Sequence, residues 1–273
     1  MRYTGSTTIE WPDMVSVYAV LGPHPEVTTT GAYQVGIDFG GHRGLVREID
    51  GRTRRYDAEP GAVYVTGPSP IRWLEVGDPT EALEIYPDHA LVGRLAAGLG
   101  VSAEVMPAFA VADGVTFAVA ARLRRAHLGS GALTDIEAST LAHLLIRNML
   151  RRYGTAREPR PRAGRAGELR PESVDAVAEY TRAHLADEIT LDRLAAAVYL
   201  SPFHFARSFR AATGMPPHAF VTEHRLMIAR DRLLRGGSSV PGIARSVGFS
   251  NISHFRRLFR RRYGLTPADL RRA

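Results

Sequence analysis

Hydrophobic and polar residues follow two different periods along this chain, and the change falls near residue 88. Before it, large apolar residues take every second position in YQVGIDF (residues 33–39), which is the period of a half-buried strand. Further short strands are predicted in GLVREI, AVYVTG and IRWLEVG, separated by turn sequences such as Asp50-Gly51 and Gly67-Pro68. Several short strands at close spacing favour a small antiparallel barrel or sandwich.

After residue 88 the apolar residues recur at helical spacing. VTFAVAARLRRAHL and LTDIEASTLAHLLIRNMLRRYG predict a helical hairpin, and Thr134 and Glu137 are spaced as a capping box at the start of its second helix. We expect one face of the hairpin to pack on the strands; a dimer interface is the alternative use of the remaining apolar residues. The next segment, 153–171, is rich in Pro, Gly and Arg without an apolar period, which is typical of a linker.

Two related helical units follow the linker. VPGIARSVGFSNISHFRRLFRRRYGLTP (240–267) combines a short apolar helix, a glycine-containing turn and a second helix with one apolar and one Arg-rich face, which predicts a helix-turn-helix with a DNA-reading helix. TLDRLAAAVYLSPFHFARSFRAATGMPP (190–217) is a looser version. Between them, residues 218–237 predict one helix of about eighteen residues, roughly 27 Å long on the scale of the roughly 34 Å turn of B-DNA. This helix serves as a spacer between two grooves, as a core helix between two units, or as both.

The start of each predicted reading helix carries a capping signal. Ser201 followed by Pro202 begins the first, Asn251 caps the second, and Gly248 lies in the second turn, where a left-handed backbone is easiest for glycine. Phenylalanines four residues apart form the buried face of each helix, which leaves the other positions for DNA. The predicted DNA-contact residues are Ser201, Phe203, His204, Ala206, Arg207 and Arg210 in the first unit and Asn251, Ile252, Ser253, His254, Arg256, Arg257, Arg260 and Arg261 in the second.

Charge is divided unevenly between the two halves of the chain. Residues 1–153 carry 14 arginines and 17 acidic residues, whereas residues 154–273 carry 21 arginines and 11 acidic residues, so the formal charges are −3 and +10. Positive charge is therefore concentrated beside the helix-turn-helix units, as phosphate binding requires. The run Arg260, Arg261 and Arg262 closes the second reading helix and is predicted to contact phosphates rather than bases.

Composition excludes several classes of site. The 273 residues contain no cysteine, which excludes disulfides, thiolate nucleophiles and cysteine-ligated zinc. His24, His42 and His89 are scattered rather than clustered, so no metal site and no cofactor are predicted. No apolar run approaches the roughly 18 residues of a membrane helix, and the first residues lack the pattern of a signal peptide, so a cytoplasmic protein without membrane contact is expected.

The two units together resemble the AraC/XylS family of bacterial transcription regulators. The resemblance rests on SPFHFxRxF with GxxP in the first unit and on IAxxxGFxxxSHFxRxF with GxxP in the second, and it spans about 100 residues from Pro171 to Arg271. It implies a seven-helix DNA-binding domain and a cupin-like N-terminal domain for effector binding and dimerisation. The expected fold class is therefore α+β in two domains, with an effector domain at 1–153, a linker at 154–170 and a DNA-binding domain at 171–273. Ala206 departs from the family pattern, since members often carry a polar base reader there.

The leading hypothesis is a sequence-specific regulator that binds the major groove of double-stranded DNA as a homodimer and contacts RNA polymerase if it is an activator. Its small-molecule effector is unidentified; the candidate pocket residues are the aromatics Trp11, Tyr18, Tyr33, Phe39, Tyr64 and Trp73. A regulator controlled by protein association alone is the alternative. An enzyme with a DNA-targeting tail is disfavoured, because the chain lacks both a cysteine nucleophile and clustered metal ligands, so we predict a protein that is not an enzyme.

Overall fold

The computed structural model describes residues 3–21, 28–49, 52–69, 71–75, 80–155 and 169–272. Strands fill most of the first ninety residues and helices most of the remainder, as the change of period predicted. The strands are β1 (Tyr3–Trp11), β2 (Met14–Leu21), β3 (Thr28–Thr29), β4 (Val35–Asp38), β5 (His42–Ile49), β6 (Arg52–Ala58), β7 (Ala62–Val65), β8 (Arg72–Glu75), β9 (Thr80–Pro87) and β10 (Ala108–Val111).

The strands form two antiparallel sheets. One has six strands in the order β1-β2-β9-β4-β7-β10, and the other has four in the order β3-β8-β5-β6. Among the described strands neither sheet closes on itself, because β1 pairs only with β2 and β10 only with β7. The closed cupin-like barrel expected from the resemblance is therefore not observed; the antiparallel strands themselves are.

Alternation gives the six-stranded sheet two different faces. Val35 and Ile37 lie opposite Ile85 and Leu83 in the register and are fully buried against the helices. Residues at the alternate positions, such as Tyr64, point the other way, where a small cluster joins β6 and β7. One face of this sheet therefore packs on helices, and the other faces the second sheet.

Three helices belong to this N-terminal part: α1 (His89–Leu99), α2 (Gly114–His127) and α3 (Asp135–Tyr153). The predicted hairpin is formed by α2 and α3, which pack on each other. The capping box is confirmed, since the Thr134 hydroxyl accepts from the Glu137 backbone and the Glu137 carboxylate accepts from the Thr134 backbone. Helix α2 is buried along nearly its whole length, which makes it the central helix of the molecule.

Seven helices make up the described part of the chain after residue 169, in agreement with the resemblance. They are α4 (Pro171–Ala183), α5 (Leu191–Ala196), α6 (Pro202–Thr213), α7 (Pro217–Arg235), α8 (Val240–Ser246), α9 (Ile252–Tyr263) and α10 (Pro267–Arg272). Two large apolar residues of these helices are exposed, since Leu191 is 40% and Leu234 is 51% exposed. Most of the predicted linker lies outside the described residues.

A single apolar core joins the sheet, the hairpin and the first helix-turn-helix unit. It runs from Val35 and Leu83 through Phe117 of α2 to Phe205 of α6 and Phe220 of α7. The packing is close, because a Cβ atom added at Gly114 of α2 would meet the Val174 side chain of α4 at 2.9 Å. The second unit has a separate, smaller core. The first unit is thus fused to the N-terminal part by apolar packing, and the second is not.

A buried ionic cluster connects the second unit to the sheet. Glu81 of β9 pairs with Arg124 of α2 and, at 3.1 Å, with Arg230 of α7. The Arg124 guanidinium lies 4.6 Å from the ring centre of Phe39 and 4.8 Å from that of Tyr263, the last residue of α9. Burial alone raises the pKa of Glu81, but the two arginines reverse this and lower it, so the carboxylate is charged.

We expect Glu81→Gln to destabilise the protein by about 3–5 kcal/mol, because it leaves Arg124 buried without its carboxylate. Urea unfolding at pH 7.5 measures the loss. Glu10→Gln, which neutralises an exposed carboxylate on β1, is the matched control and should change the free energy of unfolding little. Equal effects of the two substitutions would contradict the structural role of the cluster.

The buried His224 of α7 makes stability depend on pH. Its ring stacks 4.1 Å from that of Phe117, and burial, aided by Arg182, lowers its pKa to about 3. The folded state keeps this ring neutral while the unfolded state protonates it near its ordinary pKa of 6.5. Stability contributed by the neutral ring is therefore fully present above pH 6.5 and is lost progressively as pH falls toward 3.

The urea midpoint of unfolding should fall less from pH 7.5 to pH 5.0 in His224→Leu than in the wild type, since leucine has no proton to gain. His204→Gln removes an exposed histidine and should leave the wild-type difference intact. If His224→Leu retained the full difference between the two pH values, the titration of His224 would not be its cause.

Candidate nucleic-acid interface

Local sequence determines where the first candidate reading helix, α6, begins and ends. The Ser201 hydroxyl caps its first turn, Pro202 occupies the first helical position, and Gly214 ends it with φ of 72°. Phe205 and Phe209, on one face, are fully buried. The buried contacts of this face hold the opposite face of α6 toward solvent.

Helix α9 repeats this construction residue for residue. Asn251 caps it by accepting from the His254 backbone at 2.9 Å, and Gly264 ends it with φ of 73°. Phe255 and Phe259 are fully buried, and the helix has twelve residues, as α6 does. The two predicted helix-turn-helix units are thus two copies of one local design.

The structure places nearly all the predicted contact residues on the outer faces of these helices. Phe203 is the most conspicuous, since its large apolar side chain is 73% exposed. Ala206 and Ile252 are half-buried, and the remainder are exposed: Ser201, Phe203, His204, Arg207, Arg210, Asn251, Ser253, His254, Arg256, Arg257, Arg260 and Arg261. The side chains of Ser201 and Asn251 already serve as helix caps.

Arg262 is the exception within the predicted phosphate-binding run. It is only 4% exposed and pairs with Glu223 of α7 at 2.7 Å. Its position explains this, because Arg262 lies three residues after Phe259 and so shares the buried face of α9. Arg262 therefore does not share the exposed outer face of α9 on which Arg260 and Arg261 lie.

Charge on the outer face of α9 is uncompensated within the part of the chain that the structure describes. No carboxylate there lies within ion-pair distance of Arg256, Arg257, Arg260 or Arg261, and α9 itself contains no acidic residue. Arg207 and Arg210 of α6 likewise have no ion-pair partner among the described residues. A surface of this kind attracts a polyanion and is well suited to phosphates and guanine edges.

Arg225 of α7, which sequence reasoning missed, fixes the two units relative to each other. Its guanidinium donates to the Gly248 carbonyl in the turn of the second unit and to the Asp187 carbonyl before the first unit. Gly248 has φ of 82°, and a Cβ atom there would meet the Leu185 carbonyl oxygen at 2.2 Å. Gly248 was predicted from the turn sequence. Arg225 carries no local signal, because in the sequence it is one more polar residue on α7.

The long helix α7 separates the two reading helices and borders both. It has 19 residues, so it is roughly 28 Å long. His218 and Thr222 line a groove beside α6 together with Phe203 and Arg207. The same two residues also line a cleft beside α9. Both reading faces therefore flank one segment of the same rigid helix.

The predicted effector-pocket aromatics do not converge on one site. Tyr18 donates to Glu81, and Phe39 is enclosed between Phe117 and Arg124, so both lie on the helix-facing side of the sheet. Tyr64 lies on the opposite face. Trp11 donates to Ser16, Tyr33 packs against His89, and the Trp73 side chain lies outside the described residues.

Other kinds of site find no support in the described residues. They contain no group of histidine and acidic side chains that is able to hold a metal ion, and His24 and the His42 side chain lie outside them. No described helix is sufficiently long and apolar to span a membrane.

Comparison with known proteins gives matches to the C-terminal part of the chain. Residues 194–273 match the model of a helix-turn-helix domain family. The chain is 39% identical over 92 residues to regulatory protein PocR of Salmonella typhimurium, covering 34% of this chain and 30% of that protein. It is also 39% identical over 88 residues to the HTH-type transcriptional activator RhaS of Escherichia coli, covering 32% of each. The matched segment thus spans about a third of these relatives.

Solved structures match over a similar share. A probable AraC family transcriptional regulator from Rhodopseudomonas palustris is 31% identical, with a TM-score of 0.35, covering 37% of this chain and 95% of that chain. The DNA-binding domain of AdpA in complex with a target DNA is 32% identical, with a TM-score of 0.34, covering 35% of this chain and 86% of that chain.

The predicted resemblance is confirmed by these sequence matches together with the duplicated helical units. In its C-terminal part, this chain carries a helix-turn-helix domain that is similar to those of AraC-type regulators.

Proposed function

We propose that the protein is a sequence-specific DNA-binding transcription regulator and not an enzyme. The observation that carries the proposal is the outer face of α9, where Arg256, Arg257, Arg260 and Arg261 stand exposed opposite a buried phenylalanine face. Helix α6 supplies a second, more apolar reading face around Phe203 and Arg207. With α7 between them, the two helices enter successive major grooves of one duplex.

The two reading helices divide the work of recognition. Residues in the N-terminal half of α9, Ser253 and Arg257 among them, contact base edges, since this half of a recognition helix lies deepest in the groove. Arg260 and Arg261 at the other end contact phosphates. In α6, Ala206 provides no hydrogen bond, so Arg207 and the apolar contact of Phe203 with a thymine methyl or sugar carry its specificity.

Arg257→Ala should weaken binding to the preferred duplex by about 1–3 kcal/mol while affecting random DNA much less. Arg260→Ala should weaken binding to both duplexes alike, because a phosphate contact is independent of sequence. Selection from random DNA at stated salt supplies the preferred site, and fluorescence anisotropy measures both affinities. Equal losses for Arg257→Ala on the two duplexes would contradict its role as a base reader; a wild type without preference for any duplex would contradict the function.

We further propose that residues 1–153 form an effector-binding domain, which packs on the DNA-binding domain 171–273 and is joined to it by the linker 154–170. We expect the effector to bind on the face of the six-stranded sheet that is turned toward the second sheet. Gly36 of β4 lies opposite Glu84 of β9 on one side and opposite Tyr64 of β7 on the other. The side chains of Glu84 and Tyr64 therefore share the face of the sheet that is turned toward the second sheet. Burial raises the pKa of Glu84, and its carboxylate accepts from the Tyr86 hydroxyl at 2.5 Å.

This chemistry favours an effector with hydroxyl or amino groups, because carboxyl and phenol groups pair with such groups by hydrogen bonds. Strand β9 also provides a route to the DNA-binding helices. Its Glu84 faces the proposed pocket, while Glu81 on its other face holds Arg124 and Arg230. A ligand that shifts β9 thus changes the contacts of α7 and α9. Cytoplasmic location, homodimerisation and, for an activator, contact with RNA polymerase complete the proposal.

A panel of polyols, sugars and small amines, tested by thermal shift on the full chain, should contain a compound that raises Tm. Glu84→Gln should abolish that rise while leaving the Tm of the unliganded protein close to wild type, and Glu104→Gln is an exposed control that should keep it. If Glu84→Gln responded like the wild type, the pocket would be elsewhere. A panel without any hit, combined with DNA binding that depends on protein concentration, would favour control by protein association.

A further inference from the structure

A second polar cleft lies where the N-terminal part, α7 and the reading helix α9 meet. It has a volume of about 340 Å³. Three separate elements supply its nitrogen-bearing side chains: Arg125 comes from the end of α2, His218 from the start of α7, and Arg261 and Arg262 from α9. His254 lies at its edge, and Glu223 is its one acidic lining residue. The cleft is thus rich in cationic and titratable donors and poor in acceptors.

The buried Arg262 shows that the existing pairing is incomplete. Its guanidinium is 4% exposed, and Glu223 engages only the Nε side. Both terminal nitrogens are buried without a hydrogen-bond partner among the described residues. Because an arginine has five N–H donors arranged to match oxyanions, two idle nitrogens at the wall of a cationic cleft indicate a missing acceptor.

The start of α7 adds a further attraction for negative charge. The helix has no side-chain cap at Pro216, and its first-turn residues His218 and Ala219 line the cleft. The positive end of a 19-residue helix therefore faces the same space as the arginines. On the opposite wall, Arg125 has no carboxylate within ion-pair distance among the described residues, whereas its neighbour Arg122 pairs with Glu137.

We propose that this junction is a phosphate-binding site, in which Arg125, Arg261 and the terminal nitrogens of Arg262 hold one phosphate group. Two sources present that chemistry: a backbone phosphate of DNA flanking the groove that α9 enters, or a free phosphorylated small molecule. The first source rests on the proposed function, and the second does not. In either case Arg125, which lies on α2 outside the two helix-turn-helix units, affects the affinity of the reading helix for its ligand.

Pyrophosphate and a DNA duplex, each tested on the full chain, separate the two sources. Pyrophosphate should raise the wild-type Tm above the value in sodium chloride of equal ionic strength, and Arg125→Gln should remove most of this rise. Arg94→Gln, an exposed arginine of α1 with the same change of charge, should retain it. With the DNA duplex, the logarithm of the binding constant is measured against the logarithm of the salt concentration for the wild type and for each variant.

A slope smaller by about 0.9 in Arg125→Gln, with Arg94→Gln unchanged, assigns the site to one DNA phosphate. Loss of the pyrophosphate response with an unchanged slope assigns it to a free phosphorylated ligand. An absent pyrophosphate response in the wild type together with an unchanged slope in Arg125→Gln overturns the proposal. A wild type that responds to pyrophosphate but binds no duplex overturns the DNA-binding function and leaves the site intact. Circular dichroism checks folding, and Arg125→Met repeats both arms should Arg125→Gln not fold.

Discussion

The buried carboxylate of Glu81 is the constraint on which the arrangement of the molecule depends. A fully buried carboxylate is unfavourable in its charged form unless it is well paired, and Glu81 is paired by cations from two distant parts of the chain. Arg124 in turn is enclosed between the rings of Phe39 and Tyr263. The observed docking of α7 and α9 on the sheet brings these charged and aromatic groups together. A buried ion pair adds little net stability, but it selects this docking over others, because a displaced partner leaves a charge without compensation.

The two helix-turn-helix units consequently differ in how they are attached. Apolar packing that continues from Phe117 into Phe205 and Phe220 holds the first unit, and such packing tolerates small shifts at modest cost. The second unit depends on directional contacts at Glu81, Arg262 and Arg225. Contacts of this kind are made or broken within a fraction of an ångström. The second unit is thus linked to the sheet by ion pairs and a cation–π contact, whereas the first is linked to it by apolar packing.

The sequence predicted what is local and missed what is distant. Helix ends, the capping box at Thr134, the turn glycine Gly248 and the paired phenylalanines each depend on residues within four positions, so their signals survive in one sequence. Glu81 occupies an ordinary polar position in an alternating strand, and Arg262 looks like part of a solvated basic run. Their burial depends on partners in helices that lie about forty residues or more away along the chain, which no periodicity records. Barrel closure is not confirmed for a related reason, since closure depends on which strands pair rather than on where strands occur.

Burial of arginine at the junction also explains why charge counts alone misjudge the DNA-binding surface. Of the arginines in the basic half, Arg225, Arg230 and Arg262 are engaged by protein acceptors and hold the helices together. The arginines left for DNA are those whose helix face points away from the phenylalanine core. A residue three or four positions after a core phenylalanine turns inward, whereas its neighbours turn outward. The phase of the apolar pattern, read together with the charge, therefore decides which arginine is structural and which is available to a ligand.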